Sequence, residues 1–549
     1  MNRSDSLAMR AVAAACALSA AGLARAVTFE FGDVRGNFDS TVTVGTGIRT
    51  KSPDCTLVTA GATGPNAPTG CLAPTSALGD QGDLNYAKGD AFTTYIKGSH
   101  ELLLKMPEDF TFLGRVNWIR DFTATETTGD ISATTPPSLT DGQAANVRKD
   151  LRFKPRLLDL WLSKSFQLGG ETTRVRVGNQ VISWGESLFL PGGINSTNAI
   201  DIMRLSQPGT QLKEVFLPAP IVSVASGLGH GLNLEAYGQA RWNANYFPPT
   251  GSYWSDANGL GLGHDSYGLV ETKASNGGQW GAALRYEPEG TQLNLGLYAM
   301  TYNDKSPNFS INADGQGHAG WAYAEHRQLY GVSANLPLGD WAVGTELSYR
   351  PRDAVALNSA ASGCSSQGGN CWVDQHKIQW HLTGLLSLTP NTGGAVLKAL
   401  GADTATLMAE SVVVDYPTLK KYYGADPVSA GAWGWGQQTD PNGTPTPVGT
   451  KVSWGYNFDF SWVYDGTVIP GWQLVPEVYY FQAVHGRTPN ASGLFMQGAK
   501  SANFIVSLLQ NPTKWQASIN YAVFFGGSTV FDQPYRDRNF VGLTLARNF

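Results

Sequence analysis

Along much of this chain apolar and polar side chains alternate one by one, the period of a β-strand whose two faces meet different surroundings. Val452, Trp454, Tyr456, Phe458, Phe460, Trp462 and Tyr464 interleave with Ser453, Gly455, Asn457, Asp459 and Ser461. Leu293, Leu295 and Leu297 interleave with Gln292, Asn294 and Gly296, and Trp515, Ile519, Tyr521 and Val523 with Gln516, Ser518 and Asn520. Leu232, Leu234, Ala236 and Trp242 read as a further strand against Asn233, Glu235, Gln239 and Arg241. The chain also ends this way: Val541, Leu543 and Leu545 alternate with Gly542, Thr544 and Ala546, and the last residue is Phe549. None of these windows has the 3.6-residue period of a helix. A β-sandwich would supply one or two such strands, not a long series with aromatic apolar faces.

The spacing between strands sets the topology. Short turns at 107–109, 169–171, 229–231, 288–290, 338–340 and 511–513 each join two alternating segments. Between these hairpins lie long polar stretches: 51–91, 122–155, 186–217, 248–278, 303–323, 353–374, 418–450 and 485–500. Short turns on one side and long loops on the other are the layout of an outer-membrane barrel, turns periplasmic and loops extracellular. The reading is an all-β fold: a transmembrane antiparallel β-barrel of about 18 strands. A longer turn around Thr389–Asp403 makes about 16 the other count.

Composition narrows this further. Only 15% of residues are charged, against about 25% in soluble domains, while 64 glycines are present. An apolar share of 42% suits a barrel, in which half of each strand faces water. Residues 1–26 read as a secretory signal peptide, with Arg3 and Arg10, an apolar run from Ala11 to Leu23, and an Ala24-Arg25-Ala26 cleavage site. Ala13-Ala14-Ala15 before Cys16 is a poor lipobox. The barrel is then 27–549, and its 36 basic against 43 acidic residues give a net charge of −7 with no basic stripe for nucleic acid. Four cysteines remain as two local pairs, Cys55/Cys71 and Cys364/Cys371, in loops rich in small residues, and these read as disulfides of an oxidising compartment.

Charged residues at inward strand positions must face the lumen, since each would cost about 2–4 kcal/mol in lipid at the midplane. They are Arg115, Asp159, Arg174, Arg176, Glu235, Arg241, Arg285, Glu346, Arg350, Glu410 and Asp459. Cross-strand pairing that only stiffens the wall is the bland account of each. The segment after Trp184 differs from the other loops, because Leu188-Phe189-Leu190 adjoin Pro191-Gly192-Gly193. So apolar a loop would not hang in water. It is expected to fold inward and narrow the lumen, with Glu186, Leu188, Phe189, Asp201, Arg204, Lys213 and Glu214 at the constriction, ordered by wall arginines such as Arg174 and Arg176. The bland account is a surface loop packed on its neighbours.

The stretch VISWGESLFLPGGINSTNAIDIMRLSQPGTQLKEVFLPAPIVS, with FEFGDVRGNFDSTVTVGTGIR near the start and RDRNFVGLTLARNF at the end, resembles the domain-of-unknown-function 1302 family. That resemblance implies a large barrel in the outer membrane of a Gram-negative bacterium, one that helps hydrophobic compounds such as alkanes enter the cell. It also implies a periplasmic lipoprotein-like partner and an inner-membrane pump of the resistance-nodulation-division (RND) type. The eight histidines are scattered, no G-x-S-x-G occurs, and Asp256/Asn258 and Asn312/Asp314 are ordinary loop pairs. An enzyme, a cofactor or a metal site is therefore not expected. The expected function is uptake or passage of hydrophobic or amphipathic small molecules such as alkanes or lipids; the alternative is a general diffusion porin for small polar or anionic solutes.

Overall fold

The alternating segments pair edge to edge, and eighteen of them close into one antiparallel barrel. The computed structural model describes residues 27–54, 57, 81–124, 141–255, 259–358, 363–430, 447–490, 493–512 and 514–549. In chain order the barrel strands are β1 (Val34–Arg49), β2 (Ala91–Met106), β3 (Phe110–Asp121), β4 (Phe153–Leu168), β5 (Glu171–Gln180) and β6 (Ala219–Gly229). There follow β7 (Leu232–Gln239), β8 (Gln279–Tyr286), β9 (Asn294–Tyr302), β10 (Arg327–Leu338), β11 (Trp341–Ala356) and β12 (Trp372–Leu388). The last six are β13 (Thr404–Asp415), β14 (Val452–Asp465), β15 (Trp472–His485), β16 (Ala499–Gln510), β17 (Trp515–Gly526) and β18 (Phe540–Asn548). Each pairs with its chain neighbours, and the terminal strand closes the ring on the first, with Thr41 opposite Asn548 and Arg49 opposite Phe540. A short strand, Val27–Phe31, folds back on the start of β1.

Closure removes the unpaired edges, which is what lets a sheet sit in lipid with every backbone group satisfied. One face then meets lipid and the other the lumen. On β11 Leu347 and Tyr349 are exposed while Glu346, Ser348 and Arg350 are buried. On β4 and β5 the outward set includes Leu160, Leu162 and Val177, so Ser163, Arg174 and Arg176 point inward. A bulge at Leu158/Asp159, opposite Arg115, keeps the Asp159 carboxylate on the inner face. On β14 Trp454, Phe458, Phe460 and Trp462 share the outer face, and Asn457 and Asp459 the inner one.

The structure differs from the sequence reading in three places. Strand β7 stops at Gln239, so Arg241 is an exposed residue of the following loop and not part of the wall. Trp242 turns into that loop and stacks edge-on against Tyr323, with ring centroids 4.6 Å apart. The long turn at 389–403 holds a helix, Gly394–Leu400, and no strands, which settles the count at eighteen. The 122–155 loop likewise carries a helix, Asp141–Arg152, that strand periodicity cannot announce.

Cys364 and Cys371 are joined in the β11–β12 loop; Cys55 and Cys71, and the segment 1–26, lie outside the described residues. Peptide mapping without reductant should recover the Cys364–Cys371 cross-link, and its reduction should cost less than about 3 kcal/mol, since the loop it closes is short. A free thiol at Cys364 in unreduced protein would contradict the pairing.

Candidate functional site

The loop between β5 and β6, residues 181–218, leaves the wall and enters the lumen. Its first turn packs on the near wall: Ile182, Trp184 and Ile194 form one buried cluster with Ile221, Tyr237, Tyr298 and Leu329. Full burial of an aliphatic side chain such as Ile194 contributes about 1.5–3 kcal/mol. Trp184 also donates its Nε1–H to Glu235, 2.7 Å away, and Glu235 in turn pairs with Arg285.

From there the chain descends to strands β11–β13. The Glu346 carboxylate accepts the backbone N–H groups of Glu186 (2.6 Å) and Ile194 (2.9 Å). Glu410 accepts those of Phe189 (2.7 Å) and Leu190 (2.8 Å). Glu346 stands nearer the turn-side end of its strand than the loop-side end and Glu410 at the middle of its own, so the loop reaches deep. Between them His381 sits fully buried, with Nδ1 2.7 Å from Glu410 and Nε2 2.8 Å from the Gln379 amide nitrogen. The consistent arrangement has Nδ1–H donating to Glu410 and Nε2 accepting from Gln379, whose amide also donates to the Pro191 carbonyl at 3.1 Å. Arg350 closes the clamp by donating to the carbonyls of Gly192 (2.5 Å) and Gly193 (2.9 Å). On the next part of the wall Phe189 meets Tyr479 of β15 edge-on, with centroids 5.9 Å apart.

Glycines permit this approach. Gly192 has φ +96°, a conformation that side chains rarely adopt. At Gly193 the reason is space: a Cβ there would lie 1.8 Å from Glu346 Oε1 and 2.9 Å from His381 Nε2. Gly193→Ala should therefore lift the loop from the clamp while leaving the barrel folded. Heat-modifiable gel mobility would be unchanged and ion conductance raised; unchanged conductance would show that the clamp tolerates the methyl group.

The second half of the loop rests elsewhere. Asp201 caps a short helix, Ile202–Leu205, and pairs with Arg156 of β4 and with Arg204. Pro208 and Gly209 offer their carbonyls to Tyr95 and Lys97 of β2, both at 2.6 Å, and Lys97 also binds Glu214 at 2.5 Å. Pro208 lies against Gly542 and Gly209 against Thr544, both on β18. One loop therefore touches β11–β13 and β15 with its first half and β18 and β2 with its second. Between β12 and β2 lie seven strands one way round the ring and nine the other, so the loop crosses the lumen.

The structure brings Glu186, Phe189, Asp201, Arg204 and Glu214 into this crossing. Glu186 turns its own carboxylate to Asn335, 2.9 Å away. Leu188 is exposed, and Lys213 is exposed on the same segment. The expected ordering by Arg174 and Arg176 is not what is found: neither makes a hydrogen bond or ion pair to the loop among the described residues. Carboxylates that accept loop N–H groups do that work, because a chain crossing open water must first satisfy its own backbone donors. Wall groups that the sequence reading passed over are His381, Gln379, Lys97, Tyr95 and Arg156.

Elsewhere on the inner wall Arg115 bridges Glu101 (2.6 Å) and Asp159 (2.7 Å). Asp459 and Glu477 stand at diagonal lumen-facing positions on paired strands. At the outer mouth, burial pushes the Asp304 carboxyl up to about 7 and pulls the Lys305 ammonium down to about 7. No described residues group into a set of three or more metal-ligating side chains.

The family model that matches this chain is that of a protein of unknown function, DUF1302, over residues 7–549. No curated protein matches it. Among solved structures the barrel is similar to OpdK of Pseudomonas aeruginosa with vanillate, at 11% identity and a TM-score of 0.40, covering 94% of this chain and 98% of that one. It is similar to OccAB1 of Acinetobacter baumannii at 10% identity and a TM-score of 0.42, covering 96% and 99%. A third is OccK2 (OpdF) of Pseudomonas aeruginosa in complex with glucuronate, at 10% identity and a TM-score of 0.40, covering 94% and 97%. At this degree of likeness the ligands of those proteins say nothing about this one. Eighteen antiparallel strands closed into one ring, with apolar side chains outside and charged ones within, have the layout of an outer-membrane barrel.

Proposed function

The chain belongs to the DUF1302 family, whose designation names no activity, and from its own site we propose a loop-gated outer-membrane channel for small hydrophobic or amphipathic molecules. The supporting observation is the loop that crosses the lumen from the β11–β13 wall to the β18–β2 wall. A general diffusion porin needs a standing opening, and a strap held at both ends works against one. The same strap leaves Leu188, Leu205 and Leu212 exposed. Apolar side chains on a gate give a hydrophobic body a route that a wholly polar wall denies it. Movement of the strap, not of the barrel, then admits the solute. A periplasmic lipoprotein-like protein and an RND-type pump in the inner membrane belong to the same proposal as the apparatus beyond the barrel.

Cells carrying the barrel should take up radiolabelled dodecane faster than cells lacking it, with arabinose entry unchanged. Equal dodecane uptake in the two strains, or an equal change in arabinose entry, would move the assignment to the diffusion porin.

A further inference from the structure

Several charges on the inner wall are paired among the described residues. Arg115 has Glu101 and Asp159, Arg285 has Glu235, and Arg350 has Asp353 and the loop carbonyls. Arg174 and Arg176 of β5 have no ion-pair partner among the described residues. They stand two apart on one strand, so both point into the lumen from neighbouring positions, about 7 Å from one another along the backbone. Like charges so placed repel, and nothing in the fold requires two of them there.

The one carboxylate whose charge Arg176 feels, Asp159, is already ion-paired with Arg115, and the strand neighbours of both arginines leave their guanidinium groups uncovered. Cross-strand neighbours of Arg176 are Ser163 and Ser223, and those of Arg174 are Ser165 and Ala225. All four are too short to cover a guanidinium. Arg176 lies over the Trp161 ring at 4.1 Å, which fixes the plane of its guanidinium. Arg176 Nε is buried without a hydrogen-bond partner. Directly across the ring, nine strands away, stand Asp459 of β14 and Glu477 beside it on β15. An anion in the lumen is therefore attracted to one wall and repelled from the other.

We propose that Arg174 and Arg176 form a carboxylate-binding site in the lumen, for a small organic acid whose apolar body lies along Trp161. Two guanidinium groups match a carboxylate's two oxygens with charge-assisted hydrogen bonds. The site stands on the strand that leads into the crossing loop, so an amphipathic acid in the lumen would meet these arginines with its charged end. This deepens the channel reading by naming the head group of its solute, and rests on that reading for its purpose but not for its existence.

Binding to the full-length barrel in detergent tests the site without requiring passage. Benzoate titrated into the wild type should bind and quench tryptophan emission, while neutral benzamide should bind at least about tenfold more weakly. Replacing both residues, Arg174→Gln with Arg176→Gln, should abolish benzoate binding, and the single substitution Arg174→Gln should weaken it about tenfold. Both variants should keep the folded gel mobility. Lys398→Gln, on the helix Gly394–Leu400 outside the lumen, should bind benzoate as the wild type does. Benzoate binding undiminished in the double variant would overturn the site. Inorganic phosphate or benzamide binding as tightly as benzoate would overturn its assignment to organic carboxylates. If benzoate binds as expected but dodecane uptake does not depend on the barrel, the channel reading fails and the site stands.

Discussion

Replacing both Glu346 and Glu410 by alanine should turn a poorly conducting barrel into an open pore. These two carboxylates accept four backbone N–H groups of the crossing loop, those of Glu186, Ile194, Phe189 and Leu190. A buried donor left without an acceptor costs about 1–3 kcal/mol, so four of them outweigh the contacts that hold this half of the loop against the wall. His381, which Gln379 holds from the other side, loses its partner in Glu410 by the same change. The donors recover hydrogen bonds only by moving into water, which takes the loop off the wall. Single-channel conductance should rise several-fold, with frequent transitions between levels as the freed loop moves. Leu347→Ala serves as the control: its side chain lies between the same clamp residues in sequence but faces lipid, and its conductance should match the wild type. A double variant that folds and conducts no better than the wild type would show that the carboxylates do not hold the gate.

Phe460→Arg should abolish folding into bilayers, whereas Ser461→Arg should be tolerated. The two positions are adjacent on β14 and face opposite ways: Phe460 packs on Trp462 on the lipid face, and Ser461 is the cross-strand neighbour of Glu477 on the lumen face. An arginine on the lipid face near the midplane costs about 2–4 kcal/mol, a large share of a marginal stability of about 5–15 kcal/mol. On the lumen side the same arginine gains Glu477 as a partner. Urea titration of folding into lipid vesicles would separate them. Equal losses would mean that the register of β14 is shifted by one residue, since such a slip exchanges the faces.

Strands announced themselves because lipid imposes its pattern residue by residue. A segment such as Val452–Asp465 must alternate wherever it sits in the ring, so its period can be read without knowing its neighbours. Loop length gave the topology for a similar reason, as hairpin turns are local. The gate is a different kind of feature. Leu188-Phe189-Leu190 before Pro191-Gly192-Gly193 showed that the segment would seek burial, yet nothing local says where. Its anchors, Glu346, Gln379 and Glu410, lie more than 150 residues away in sequence, and as single letters they look like any other polar residue of the wall. Arg174 and Arg176 were the natural guess because their strand leads into the loop. The strand, however, points them at the open lumen while the loop turns away to the far wall. Arg241 failed for a simpler reason: its alternation with Trp242 continues past the last paired residue, Gln239, and hydrogen-bonded pairing, not periodicity, ends a strand.

The account stands most directly on planar-bilayer conductance of the wild type beside a barrel lacking residues 188–209, with a short glycine linker in their place. That deletion removes the deep anchor on Glu410 and the far contacts of Pro208 and Gly209 with Tyr95 and Lys97 while leaving every barrel strand intact. A crossing loop that gates the lumen predicts small or closed conductance for the wild type and large, steady, ion-permeable steps for the deletion. Equal conductance in the two would contradict it.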